Sequence, residues 1–258
     1  MSDPNSPSAP APQVLERGDG ERLAYHRAAG QLPGVVYLGG FMSDMTGTKA
    51  LAVEAFCRER GQAFVRFDYF GHGASTGMFT AATIGRWAED AVAVLDELTE
   101  GPQVLVGSSM GGWIMVLAAL ARRERVAGLV GLACAPDFTE ELVWNRIGPE
   151  EKAALARDGV YYEPSEYGGP SPITLGLIEE GRAHLVLGAP IALTCPARLI
   201  HGMKDPDVPY ETSVRLARRL NSVDVTVTLV KQGGHRLSEP EDLARLCATV
   251  GALLDDFS

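Results

Sequence analysis

Ser109, Asp205 and His235 are the residues of this chain whose types and order suit nucleophilic catalysis. Ser109 is the centre of Gly107-Ser108-Ser109-Met110-Gly111, a G-x-S-x-G turn. A serine hydroxyl is a poor nucleophile at its own pKa and needs a base beside it. Imidazole takes and returns a proton near neutral pH, and His235 ends the glycine-rich run Lys231-Gln232-Gly233-Gly234-His235. A carboxylate behind the imidazole fixes its tautomer and stabilises the imidazolium. His201-Gly202-Met203-Lys204-Asp205-Pro206-Asp207 supplies Asp205, with Asp207 and the more distant Asp137 as alternative acids. The order Ser…Asp…His is that of a nucleophile-elbow hydrolase.

In a chain with 29 glycines, G-x-S-x-G is weak on its own. Its surroundings strengthen it. Gln103-Val104-Leu105-Val106 has the length and apolarity of a buried strand, and residues 113–121 read as a buried helix. Strand, tight turn and helix expose a serine on a strained bend, where side chains at positions 107 and 111 would collide with neighbouring backbone. The oxyanion formed on attack needs two backbone N–H donors. Met110 follows the nucleophile and is one candidate. Phe41, in Gly39-Gly40-Phe41, is the other, unless that stretch is a plain glycine turn. Gly40 and Trp113 are candidate substrate contacts, with core packing the competing reading of Trp113. His26 and His184 lie on elements with no route to Ser109, and His72 and His201 read as structural.

The elements that would hold these residues alternate. Val14–Arg27 is a hairpin about Gly18-Asp19-Gly20, giving two antiparallel edge strands. Strands follow at 34–38, 63–67, 103–106 and 126–134, with helices at 46–60, 83–99 and 113–121 between them. The alternation resumes with strand 196–201, helix 210–220, strand 223–230 and helix 239–257. Near-continuous apolar strands separated by helices call for a mostly parallel, doubly wound α/β sheet with helices on both faces. Serine, acid and histidine then all stand at C-terminal strand ends, where such sheets bind ligands. The rhythm breaks across about 137–194. No strand stands out there: 138–148, 150–158 and 173–187 look helical, and 164–172 is a Gly/Pro-rich loop. An insertion of this length and place suits a lid.

With 258 residues, residues 14–258 make one domain with room for a sizeable core. The net charge of −10 argues against nucleic acid or an anionic membrane surface as partner. No apolar run approaches a membrane span. Residues 1–13, MSDPNSPSAPAPQ, read as a disordered tail without signal or transit features, so a cytoplasmic protein is expected. Cys57, Cys134, Cys195 and Cys247 form no C-x-x-C pair or Cys/His cluster, and buried free thiols, without metal, are the reading. The oligomeric state leaves no mark in the sequence.

GSSMGGW at 107–113, GGFMSDMTGTKA at 39–50, FDYFGHGAS at 67–75 and HGMKDPDVP at 201–209 together resemble the α/β-hydrolases. Within them they resemble the mitochondrial family of mycophenolic acid acyl-glucuronide esterases and palmitoyl-protein thioesterases. The resemblance runs from Val35 to the C-terminus. It implies hydrolysis of esters or thioesters, with small-molecule esters or S-acylated proteins as substrates and no metal or organic cofactor. The family's serine, aspartate and histidine fall on Ser109, Asp205 and His235. Other activities of the same fold (peptidase, lactonase, C–C hydrolase), or a ligand-binding protein without turnover, are the competing expectations.

Overall fold

A computed structural model describes residues 11–163 and 169–257. Ten strands and seven α-helices are found among them. The strands are β1 (Gln13–Glu16), β2 (Arg22–Ala28), β3 (Gln31–Leu38), β4 (Gln62–Phe67), β5 (Gln103–Ser108), β6 (Val126–Leu132), β7 (Val160–Glu163), β8 (Ser171–Thr174), β9 (Ala197–Gly202) and β10 (Val225–Val230). The helices are α1 (Thr48–Arg60), α2 (Ile84–Leu98), α3 (Met110–Ala121), α4 (Pro149–Asp158), α5 (Leu175–Gly181), α6 (Glu211–Arg219) and α7 (Pro240–Asp255). Eight strands form one sheet in the order β1-β2-β4-β3-β5-β6-β9-β10. Strand β2 runs antiparallel to both neighbours, and every other pairing between β4 and β10 is parallel.

Burial on both faces explains the apolar strands. Val35, Val104, Val106 and Val130 point to one face, where Val53 and Cys57 of α1 and Val250 and Leu254 of α7 cover them. Val36, Leu105 and Leu129 point to the other, against α2 and α3. Each such side chain removed from water contributes about 1.5–3 kcal/mol, so the central strands are fixed in register by their own apolar sets. Local signals set the helix ends. The Thr83 hydroxyl accepts from Arg86 N–H at 3.2 Å to start α2, and Gly61 at φ +69° ends α1 in the left-handed region.

Three expectations are corrected. Only β1 is an edge of this sheet on the N-terminal side, because β2 is flanked by β4. Between β6 and β9 the chain does contain strands: β7 and β8 pair antiparallel as a separate two-stranded ribbon. The helix expected at 138–148 is a π-helical stretch, Thr139–Trp144, and that at 173–187 is shortened to α5 plus a 3₁₀ turn at Arg182–His184. Of the expected tail, residues 1–10 lie outside the described residues, while Gln13 pairs with Tyr25 in β1. Among the described residues no helix is long and apolar enough to cross a membrane.

Candidate active site

Ser109 stands between β5 and α3 with φ +54° and ψ −119°, a conformation a β-carbon makes costly. The backbone around it leaves no choice of residue at two positions. A Cβ on Gly107 would lie 2.4 Å from the Gly111 carbonyl oxygen, and one on Gly111 2.2 Å from that of Leu38. The strained turn is held from the neighbouring strand: Ser109 N–H donates to the Leu132 carbonyl at 2.9 Å, and Ala135 N–H donates to the Ser109 carbonyl at 3.1 Å.

The loops after β9 and β10 bring the other two residues to this serine. His235 Nε2 is 3.0 Å from Ser109 Oγ, and His235 Nδ1 is 2.8 Å from Asp205 Oδ2. A carboxylate at Nδ1 requires that nitrogen to carry the hydrogen, leaving Nε2 to accept from the serine hydroxyl. The Asp205 side chain is fully buried, yet it is well supplied with donors. Its Oδ1 accepts from Asp207 and Val208 N–H, each at 2.9 Å, and its Oδ2 faces both His235 and His201, the latter at 3.2 Å. Burial pushes the Asp205 carboxyl up; hydrogen bonds from His201 and His235, the charge of His235 and the Val208 N–H outweigh it and hold the group well below the usual carboxylate range.

The alternative acids are placed differently from Asp205. The Asp137 carboxylate is buried and accepts from Val186 N–H at 2.8 Å and Leu187 N–H at 2.9 Å, far along the inserted segment. Asp207 is exposed; its backbone N–H donates to Asp205, and a carboxylate oxygen of Asp207 lies within 4.8 Å of an Asp205 carboxylate oxygen and of a His235 ring nitrogen. Of the other histidines, His184 pairs with Glu180 at 2.6 Å and His72 packs edge-on against Trp87 and Phe79.

Gly40 to Ser43 form a turn closed by Ser43 N–H on the Gly40 carbonyl at 3.1 Å, with Met42 at φ +55°. Phe41 is the second residue of that turn, whose hydrogen bond does not use the Phe41 N–H. The turn lies against Ser109: a Cβ on Gly40 would be 3.4 Å from Ser109 Cβ. Met110 begins α3, where the first N–H groups have no acceptor within the helix. Asp68, after β4, ties the loop after β3 to its own by accepting from Met45 N–H at 2.6 Å and Ala74 N–H at 2.8 Å.

A cleft of about 960 Å³ opens over Ser109 and His235. Phe41, Phe138, Leu142, Val143 and Ile173 give it an apolar lining, and Asp44, Lys49, Arg146, Glu163, Asp207 and Arg236 a charged one. Gly40, Phe41 and Met110 line it. Trp113 does not, and its expected contact with substrate is corrected: it is fully buried, packed edge-on against Phe138, and donates its indole N–H to the His184 carbonyl at 3.0 Å.

Two contributors escaped the sequence reading. Lys49 was visible only as part of a motif; its ammonium donates to the Arg236 carbonyl and so ties α1 to the residue after His235. Burial, with Arg236 adding, pushes its pKa down to about 8. His201 read as structural, yet it touches Asp205. The signal was there in the four-residue spacing of His201 and Asp205 about a strand end.

Residues 32–246 match the family model described as the alpha/beta hydrolase family. The chain belongs to this family. It is similar to the mitochondrial palmitoyl-protein thioesterase ABHD10 of Bos taurus, at 44% identity over 95% of this chain and 80% of that protein. The Homo sapiens protein of the same name is 43% identical over the same shares. The solved structure of alpha/beta hydrolase domain-containing protein 10 from mouse superposes with a TM-score of 0.90 at 41% identity, covering 96% of this chain and 100% of that one. Est1E from Butyrivibrio proteoclasticus, with ferulic acid bound, shares the fold at 22% identity and a TM-score of 0.78, covering 95% of this chain and 98% of that one. The ABHD10 relatives are named as mitochondrial, which overturns the expectation of a cytoplasmic protein.

Proposed function

We propose that this α/β-hydrolase cleaves carboxylic esters and thioesters through an acyl-enzyme formed on Ser109, acting on S-acylated proteins or small acyl esters. The reading is carried by one geometry: His235 Nε2 at 3.0 Å from Ser109 Oγ while its Nδ1 lies 2.8 Å from the buried Asp205. The names of the ABHD10 relatives support the thioester substrate.

In this reading Ser109 Oγ attacks the carbonyl carbon as His235 Nε2 takes its proton. The Phe41 and Met110 N–H groups receive the oxyanion. Collapse breaks the C–O or C–S bond, and His235 returns the proton to the leaving alcohol or thiol. Water, deprotonated by the same imidazole, then attacks the acyl-enzyme; the acid departs and Ser109 recovers its proton. Asp205 orients His235 throughout and offsets the charge it gains. The 137–194 segment serves as a lid whose Phe138, Leu142, Val143 and Ile173 receive the acyl chain. Residues 14–258 act as a single domain.

The test is hydrolysis of p-nitrophenyl esters from acetate to palmitate, and of a palmitoyl thioester, by wild type and Ser109→Ala. Each methylene gained by the apolar wall is worth about 0.8 kcal/mol, roughly a fourfold gain in kcat/KM per carbon until the wall ends. Turnover that survives Ser109→Ala would remove the acyl-enzyme from consideration.

A further inference from the structure

His201 is fully buried at the end of β9, and its ring is committed on both sides. Nε2 faces two acceptors, Asp205 Oδ2 at 3.2 Å and the Val208 carbonyl oxygen at 3.0 Å. Two acceptors and no donor on that side mean that Nε2 carries the hydrogen. Nδ1 of the neutral ring must then accept, and its neighbour is the Ser213 hydroxyl of α6 at 2.7 Å. Ser213 is itself fully buried. The hydrogen bonds therefore run in one direction, Ser213 O–H to His201 Nδ1 and His201 Nε2–H to the Val208 carbonyl, with Asp205 Oδ2 as a second acceptor within 3.2 Å of the same nitrogen.

Asp205 Oδ2 thus faces the ring nitrogens of two imidazoles, His235 Nδ1 at 2.8 Å and His201 Nε2 at 3.2 Å, while Oδ1 is filled by two backbone N–H groups. A buried carboxylate with fewer donors would draw its proton from the nearest acid, which here is the His235 imidazolium formed during turnover.

We propose that His201, with its tautomer set by Ser213, is a positioning residue for the hydrolytic reaction: by donating to Asp205 Oδ2 it keeps that carboxylate ionised and aimed at His235 Nδ1. The inference rests on the reading of Ser109, Asp205 and His235 as the catalytic groups. His201 reaches the site through Asp205; its other polar partners, the Val208 carbonyl and the Ser213 hydroxyl, hold the ring in place.

Three variants carry the test on the full chain with p-nitrophenyl butyrate: His201→Leu, which removes the donor; His201→Gln, whose amide nitrogen takes the place of Nε2; and Ser213→Ala. Each is made alone and with Asp205→Asn. The charged groups that line the cleft with His235 are Asp44, Lys49, Arg146, Glu163, Asp207 and Arg236, with Asp205 behind the ring, and all are retained in the His201 and Ser213 variants. His201→Leu lowers kcat by roughly tenfold or more at unchanged KM, the scale seen when the partner of a ligating histidine is removed. It also moves the acidic limb of kcat/KM to higher pH, because a less compensated carboxylate holds the imidazolium more tightly. His201→Gln restores most of kcat, and Ser213→Ala falls between. In the Asp205→Asn background the His201 substitutions cost nothing further. If His201→Leu lowers Tm but leaves kcat and the acidic limb in place, or if its effect is undiminished beside Asp205→Asn, the inference is overturned. If Leu does not fold, Gln and Ser213→Ala carry the same comparison. An Asp205→Asn enzyme with full activity overturns the catalytic reading itself, a separate result.

Discussion

Replacing Asp205 by asparagine keeps the shape of the side chain and inverts the chemistry at one atom. The backbone dictates how the amide would sit. Asp207 and Val208 N–H both point at Oδ1 from 2.9 Å, so the amide oxygen occupies that position and the NH₂ group falls where Oδ2 now lies. There it meets His235 Nδ1 at 2.8 Å and the N–H of His201 at 3.2 Å. A donor opposite Nδ1 drives the His235 hydrogen to Nε2, which then offers Ser109 an N–H instead of a lone pair. The base is lost although every heavy atom stays in place. Loss of the correct tautomer at a serine–histidine pair costs roughly 10³- to 10⁴-fold in kcat, about 4 to 5.5 kcal/mol of transition-state stabilisation. The assay is kcat and kcat/KM for p-nitrophenyl butyrate at pH 7.5, with Asp207→Asn alongside, which stays within about threefold of wild type because Asp207 is exposed and its hydrogen bond to Asp205 is made by the backbone N–H. A loss under tenfold in Asp205→Asn, or a larger loss in Asp207→Asn, would refute the assignment of the acid.

Three further outcomes are expected. Gly111→Ala forces a methyl group to within 2.2 Å of the Leu38 carbonyl and 2.4 Å of that of Gly39; overpacking against backbone costs about 2 kcal/mol or more, read as a Tm lowered by roughly 5 °C together with reduced activity. His72 is held neutral by burial, which pushes its pKa from 6.5 down to about 4 against the weaker pull of the Phe70 carbonyl. The unfolded chain therefore binds the extra proton first, so stability is lost as pH falls from about 6.5 to 4, by at most about 3 kcal/mol; urea unfolding of His72→Phe at pH 5 and 7 shows that pH difference reduced. Leu142→Trp narrows the apolar wall and raises KM for dodecanoyl and longer esters at least tenfold while sparing acetate, and an unchanged chain-length profile would place the acyl group elsewhere.

What the sequence revealed and what it hid divide along physical lines. Central strands such as Val104–Val106 are buried on both faces, so their apolar runs are unbroken and legible. Loops after strands can be read once the strands are known, and this put Ser109, Asp205 and His235 on one edge before any distance was known. The β7–β8 ribbon was missed because its strands are four residues each, sit outside the main sheet and include Pro172, a residue that usually argues against a strand. Val160-Tyr161-Tyr162 did carry a strand composition. Trp113 and His201 exchanged roles for a different reason. An aromatic beside a nucleophile suggests a pocket wall and a histidine in a strand suggests core, and only side-chain direction tells that Trp113 points into the core while His201 reaches the acid.

The grip of Asp137 on Val186 and Leu187, residues up to 50 positions away, has a meaning for how such a chain can diversify. Its carboxylate fastens the base of the inserted segment next to β6, so the chain leaves and rejoins the sheet through a closed neck. What lies beyond that neck can lengthen, shorten or be exchanged while the two ends stay in register with β6 and β9. Loop-closure cost rises only slowly with length, which makes such exchanges cheap for the fold. The loops that carry Ser109, Asp205 and His235 and the segment beyond the neck are thereby separable units of inheritance: the first are locked into the sheet, and the second is free to vary.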